Sequence, residues 1–174
     1  MEIKALTEKT CGKVRGVGPK TRQILQDFGY ASAHDLIFHL PYRYEDRTQI
    51  RNIASIKVGE TVLIEARVLS VEFSRHRKNS LSCVIADDSG ELLIRFYHAH
   101  SYMQRQYSVG KRLRCFGQVS QQRQLEMIHP ECQLNPGKST DLPTTLTPVY
   151  RLPAGISQNK MRDLIEQVLG SKHI

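Results

Sequence analysis

Between Thr61 and Phe73 the chain reads TVLIEARVLSVEF, with apolar and polar residues alternating over much of its length. Alternation with a period of two sends successive side chains to opposite faces of an extended strand, so this segment needs a sheet with one buried face. The residues that follow supply its partners. Leu81 to Ala86 is a second apolar run, ended by Asp87-Asp88-Ser89-Gly90, a turn of the residues that hairpins favour. Leu92 to Tyr97 pairs back, with Ile94 and Phe96 on one face and Arg95 and Tyr97 on the other. His98 to Tyr107 reads as a short helix closed by Gly110. Leu113 to Val119 and Leu125 to Ile128 complete five strands, the last two joined by Ser120-Gln121-Gln122-Arg123.

Five strands with a helix between the third and fourth match the order of the OB-fold, a small Greek-key barrel. Its face and its first and fourth strand connections bind oligonucleotides. The first connection here holds Arg75, Arg77 and Lys78, the fourth holds Arg123, and neither contains an acid. Charge agrees with this placement. The chain has 174 residues and a net charge of +8, and its cations cluster in acid-free stretches. Lys9 to Gln26 includes Lys20 and Arg22, Phe73 to Ala86 includes the first connection, and Leu92 to Leu125 includes Arg95, Arg105, Lys111, Arg112, Arg114 and Arg123. Segregated cations attract polyanions, because each neutralised phosphate releases condensed counterions; a solvated basic surface is the plainer alternative. Rings test the idea further, since single-strand binders stack bases on aromatic side chains. Phe96, Tyr97, Tyr102 and Tyr107 lie between the third and fourth strands, beside Arg95 and Arg105. Strand alternation buries Phe96 and leaves Tyr97 as the stacking candidate, while Tyr107 reads as helix packing.

The flanks are helical. Val14-Arg15-Gly16-Val17-Gly18-Pro19 is a turn whose two glycines supply unusual backbone angles before Pro19 opens a helix. Ile24, Leu25 and Phe28 share one face of that helix, and Gly29 stands at its left-handed cap. Ser32 caps a second helix with stripe Leu36, Ile37 and Leu40, stopped by Pro41. Helix, glycine turn and helix together resemble the helix–hairpin–helix element of DNA-binding proteins. There the turn amides and the next helix N-terminus hold a phosphate, beside which Lys20 and Arg22 would sit; a purely structural turn is the alternative. Pro136 to Pro143 is a linker by composition. From Ser157 a last helix carries Met161, Leu164, Ile165, Val168 and Leu169 on a face with no evident partner. The expected architecture is mainly β with α: a five-stranded OB-fold barrel over 49–134, a helix–hairpin–helix-like segment over 1–48, and a linker and connecting helix over 135–174.

Other classes are excluded. No apolar run nears the roughly 18 residues a membrane span needs, and MEIKALTEKTCGK lacks the apolar core of a secretory signal. Cys11, Cys83, Cys115 and Cys132 form no CxxC pair. His129-x-x-Cys132 and His98-x-His100 do not make a zinc set, so no metal site is expected. Cys83 and Cys115 read as small buried residues of a reducing, cytoplasmic compartment. No nucleophile–base pair or paired acids stand out, and GxxxxGK[ST] is absent, because Pro19 separates Gly18 from Lys20. No catalytic residue and no cofactor are assigned to this chain.

Gly16-Val17-Gly18-Pro19, Asp35-Leu36-Ile37-Phe38-His39-Leu40-Pro41-Tyr42-Arg43-Tyr44-Glu45-Asp46-Arg47, Asp87-Asp88-Ser89-Gly90, Arg95-Phe96-Tyr97, Met127-Ile128-His129-Pro130-Glu131 and Leu146-Thr147-Pro148-Val149-Tyr150 occur in the order found in the RecG family. The chain resembles the N-terminal wedge region of these bacterial ATP-dependent DNA helicases. The resemblance implies a wedge that sits at a three-way junction and strips the nascent arms of a replication fork. The fork then regresses toward a four-way (Holliday) junction during recombinational repair. ATP and Mg are implied for motor domains that these residues lack, linked in cis. Family members place an aromatic pair near the end of the third strand; Tyr97 matches the first, and strict spacing puts Ser101 at the second, one residue before Tyr102. The DNA-contacting set is then Lys20, Arg22, Arg75, Arg77, Lys78, Arg95, Tyr97, Tyr102, Arg105 and Arg123. In HLPYRYEDR, Tyr42 and Tyr44 are expected to pack the helical segment against the barrel, with Arg43 and Arg47 pairing to Glu45 and Asp46. The implied partners are branched and single-stranded DNA in a nucleoid-associated, cytoplasmic bacterial protein. The competing reading is an OB module that docks a protein such as single-strand-binding protein.

Overall fold

The computed structural model describes residues 14–75, 79–136 and 142–170. Contacts divide the chain into two units, one of Met1–Glu45 with Thr147–Ile174 and the other of Asp46–Leu146.

The first unit contains α1 (Pro19–Asp27), α2 (Ala33–Ile37), β1 (Arg43–Glu45), β8 (Thr147–Val149) and α4 (Gln158–Leu169). Pro19 opens α1, and Gly29 (φ +99°) follows its end. Ser32 and Asp35 form a reciprocal capping box on α2: the Ser32 hydroxyl accepts from the Asp35 N–H, while the Asp35 carboxylate accepts from the Ser32 N–H. α2 is shorter than its stripe implied. It stops before Leu40, which is 74% exposed, because the chain must turn into β1. The terminal helix has a partner after all. Met161, Leu164, Ile165 and Val168 are buried in one core with Leu25, Ala33, Leu36 and Tyr150, so segments more than a hundred residues apart share one interior. β1 and β8 pair antiparallel through Tyr44↔Pro148. His39 ties down the intervening turn: its Nδ1 accepts from the Tyr30 hydroxyl (2.7 Å), and its Nε2–H donates to the Arg151 carbonyl (2.9 Å).

The second unit is the barrel. Its strands are β2 (Thr61–Ser74), β3 (Ser80–Ala86), β4 (Glu91–Tyr97), β5 (Arg112–Gln121) and β6 (Leu125–Ile128), with α3 (Tyr102–Gln106) between β4 and β5. They run in the order β2-β3-β4-β6-β5, and a β2–β5 ladder closes the ring. This is the expected five-stranded OB-fold barrel. β4 and β6 are parallel, and every other barrel pairing is antiparallel. A short β7 (Glu131–Leu134) adds a sixth strand against β5. The interior holds Ile64, Val68, Leu81, Ile85, Leu92, Ile94, Leu113, Val119 and Met127 with Cys83 and Cys115. Phe96 and Tyr107 are buried as packing residues. Burial and the neighbouring Cys132 push the Cys83 thiol up to about 12, leaving it inert.

Candidate nucleic-acid interface

Strand register decides which candidates share a place. Ser74 pairs with Ser80, and Ser80 with Tyr97, so the end of β2, the start of β3 and the end of β4 form one rim. Arg75 follows Ser74 directly on that rim. Tyr97 stands there too, a residue 38% exposed as alternation expects. Just beyond, His100 stacks on Tyr102 with centroids 5.7 Å apart and planes at 12°, and Tyr102 as a residue is 57% exposed. Phe73, Arg75, Asn79, His100, Ser101 and Tyr102 line an open groove of about 600 Å³. The rim thus offers one guanidinium, an amide, a hydroxyl and exposed rings, the donors and stacking faces that a splayed nucleotide strand uses.

The other candidates are placed apart from it. β6 runs parallel to β4 with Leu93↔Glu126 and Arg95↔Ile128, so Arg123, which precedes β6, lies at the opposite end of the strands. Arg105 is on α3, exposed. Lys20 and Arg22 belong to the other unit, exposed on the first turns of α1. Gly16 takes a left-handed φ of +84°, but Gly18 is extended (φ −79°, ψ 174°), so only one of the two glycines uses its freedom. The Gly16 carbonyl accepts from Lys160 Nζ (2.6 Å) and that of Arg15 from Gln167, so α4 secures the turn. The helix expected before the turn, and Arg77 and Lys78, lie outside the described residues.

Acid-free stretches in sequence are not acid-free in space. Arg112 and Arg114 of β5 both reach Glu65 of β2, Arg114 at 2.9 Å. Arg95 Nε lies 3.4 Å from Glu126 Oε2, and Lys111 Nζ donates to the carbonyls of Arg105 and Gln106. Three of the cations in the long run are therefore paired across strands, Arg95 among them. Among the described residues, the side chains of Arg75, Arg105 and Arg123 have no ion-pair partner.

In HLPYRYEDR one expected local pair forms. Arg43 does pair with Glu45 (2.9 Å), but Arg47 reaches Glu131 (2.7 Å) and lies over the Phe116 ring at 3.9 Å. The Thr48 N–H and hydroxyl both donate to Asp46 Oδ1. Tyr42 and Tyr44 are 53% and 59% exposed. One residue of the rim was not foreseen as part of a site. His129, inside MIHPE, has φ +50°, and its ring lies 5.8 Å from that of Tyr97. The motif was visible, but its backbone angle and neighbour were not.

The model of the RecG wedge domain matches residues 12–171. The chain is 34% identical over 171 residues to the ATP-dependent DNA helicase RecG of Haemophilus influenzae, covering 97% of this chain and 25% of that protein. It is 33% identical to that of Escherichia coli strain K12, with the same coverages. The fold aligns with a structure of RecG bound to a three-way DNA junction at a TM-score of 0.76 and 27% identity, covering 91% of this chain and 22% of that one. The chain spans about a quarter of the length of these relatives.

Proposed function

The chain belongs to the RecG wedge domain family, and we propose that it binds a DNA branch point and keeps the parted strands from re-pairing while an ATP-driven motor in cis moves the duplex. In this role the wedge makes and breaks no covalent bond. Cations hold the phosphates of the splayed strands, and an exposed ring covers the base left without a neighbour. The outcome is removal of nascent arms and regression of a replication fork toward a four-way junction, in recombinational repair. The observation that carries this reading is the rim itself, where strand register puts Tyr97 and the residue before Arg75 at one end of the barrel and Arg75 and Tyr102 line one groove. Arg77 and Lys78 extend that loop in sequence. Arg105 and Arg123 serve strands leaving along the barrel, Lys20 and Arg22 a duplex phosphate, and Arg95 contributes less because Glu126 holds it.

The test is a titration of labelled three-way junction, single strand and duplex at two salt concentrations. The junction is expected to bind most tightly, with affinity falling by a log–log slope of roughly 0.7–0.9 per phosphate contacted. Equal, weak binding to all three overturns the reading and favours a surface that docks a protein such as single-strand-binding protein.

A further inference from the structure

His129 sits where the β4–β6 ladder stops. The parallel register runs Leu93↔Glu126, Ile94↔Met127, Arg95↔Ile128, and the His129 N–H still donates to the Arg95 carbonyl (2.8 Å). One more step of the same register would place the Tyr97 N–H against the His129 backbone carbonyl. The chain does not take that step. At φ +50° His129 enters the left-handed region, and its imidazole Nε2 accepts the Tyr97 N–H instead, at 3.3 Å. A side chain thus replaces the backbone as the final acceptor of the strand that presents Tyr97. The same imidazole flanks two rings, Phe96 edge-on at 6.1 Å and Tyr97 tilted by 55° at 5.8 Å. Phe96 is buried, so the imidazole is braced on its inner side and meets the Tyr97 ring on the other.

The turn is pinned from beyond as well. Pro130 is buried against Gly117 so closely that a Cβ on Gly117 would lie 3.2 Å from the proline Cβ, and Glu131 pairs with Arg47. A left-handed non-glycine residue is costly and persists where its surroundings over-determine it. His98, immediately after Tyr97, also has positive φ (+56°), so the chain leaves the strand abruptly and gives the ring no continuing strand for support.

We infer that His129 is a positioning residue for Tyr97, setting the direction of its ring so that an unpaired DNA base at the branch point meets a fixed stacking face. The inference rests on the wedge reading above. Its function is to remove rotational freedom from Tyr97 before DNA arrives, so that less order has to be imposed on binding.

A double-mutant cycle on the 174-residue chain tests it. Glycine accepts positive φ without strain, so His129→Gly keeps the turn while removing acceptor and ring; His129→Asn tolerates the left-handed region, but its amide ends near the Nδ1 position and puts no acceptor where Nε2 stood. Affinity for a three-way junction is measured for the parent, Tyr97→Ala, His129→Gly, His129→Asn and Tyr97→Ala/His129→Gly, each with its unfolding midpoint. Tyr97→Ala is expected to weaken binding about tenfold, within the range for a lost stacking ring. His129→Gly should cost roughly fivefold alone and nothing further in the Tyr97→Ala background, the signature of a residue acting through another. His129→Asn, which keeps a side chain and the turn but neither the Nε2 acceptor nor the ring, should lose about as much as His129→Gly. An unchanged affinity for His129→Gly, or equal losses with and without Tyr97, overturns the inference. If Tyr97→Ala itself binds normally, the stacking role fails first, and the two failures are told apart.

Discussion

Glu126 shows how single residues decide the value of a charge. It is 2% exposed on β6, its Oε2 faces Arg95, and its Oε1 has no hydrogen-bond partner among the described residues. A carboxylate so placed costs desolvation that one long contact does not fully repay. It also cancels a guanidinium on the strand that carries Tyr97. Glu126→Gln keeps the volume and an acceptor for Arg95 while removing the negative charge. The variant is expected to bind single-stranded DNA more tightly at low salt and to steepen its salt dependence by about 0.7 in log–log slope, one further phosphate contact. Fluorescence titration at several salt concentrations measures it, and parallel lines for the two proteins would deny Arg95 any latent contact. Such pairings were illegible in the sequence because they cross strands. Arg47 has Asp46 beside it in sequence yet bonds Glu131, while Thr48 donates twice to Asp46 Oδ1.

At the scale of elements, the turn between β3 and β4 is tied to the short 3-10 turn Ile53–Ser55. Asp87 accepts from the Ile53 N–H, the Ser89 N–H and hydroxyl, and the Gly90 N–H, while the Ser89 hydroxyl accepts from Ala54. Partial burial alone would raise the Asp87 pKa; the hydrogen bonds from Ser89, Ile53 and Gly90 outweigh it and hold the carboxyl below its ordinary range. With a depressed native value, the stabilisation is complete above the unfolded-state pKa and is lost as pH falls through the native one. Asp87→Asn is expected to lose about 2 kcal/mol at neutral pH and to show a shallower loss of stability in acid, both readable from urea unfolding across pH. The five barrel strands were legible to within two residues because alternation is a local signal. β7 is too short to show a period, and β1 and β8 find each other across most of the chain, with a proline in one of them. The apolar stripe of α4 announced a buried face but could not say what covers it; α1, α2 and Tyr150 do.

For the whole molecule, the two units have separate cores: Ile53 to Met127 supply one, Leu25 to Leu36 with Tyr150 to Val168 the other. A fragment of residues 46–146 is therefore expected to unfold in one cooperative transition, as small domains with their own core do; a sloping, non-cooperative denaturant curve would show that the barrel depends on the rest. Topology was readable from strand order and the intervening helix, which is why the barrel and the burial of Phe96 followed from sequence. The rim was readable only in part. Tyr97 and Arg75 could be named, but Arg123 falls at the far end of the strands, and the arrangement of His129, His100 and Asn79 depends on register and backbone angles that no local pattern encodes. The most direct measurement places a fluorescent adenine analogue at the branch-point base of a three-way junction and, in a second substrate, well inside one arm. Binding is expected to change the signal at the branch alone, and Tyr97→Ala to abolish that change while the chain stays folded. An equal response at both positions, or a branch signal indifferent to Tyr97, would contradict a ring set against the opened base.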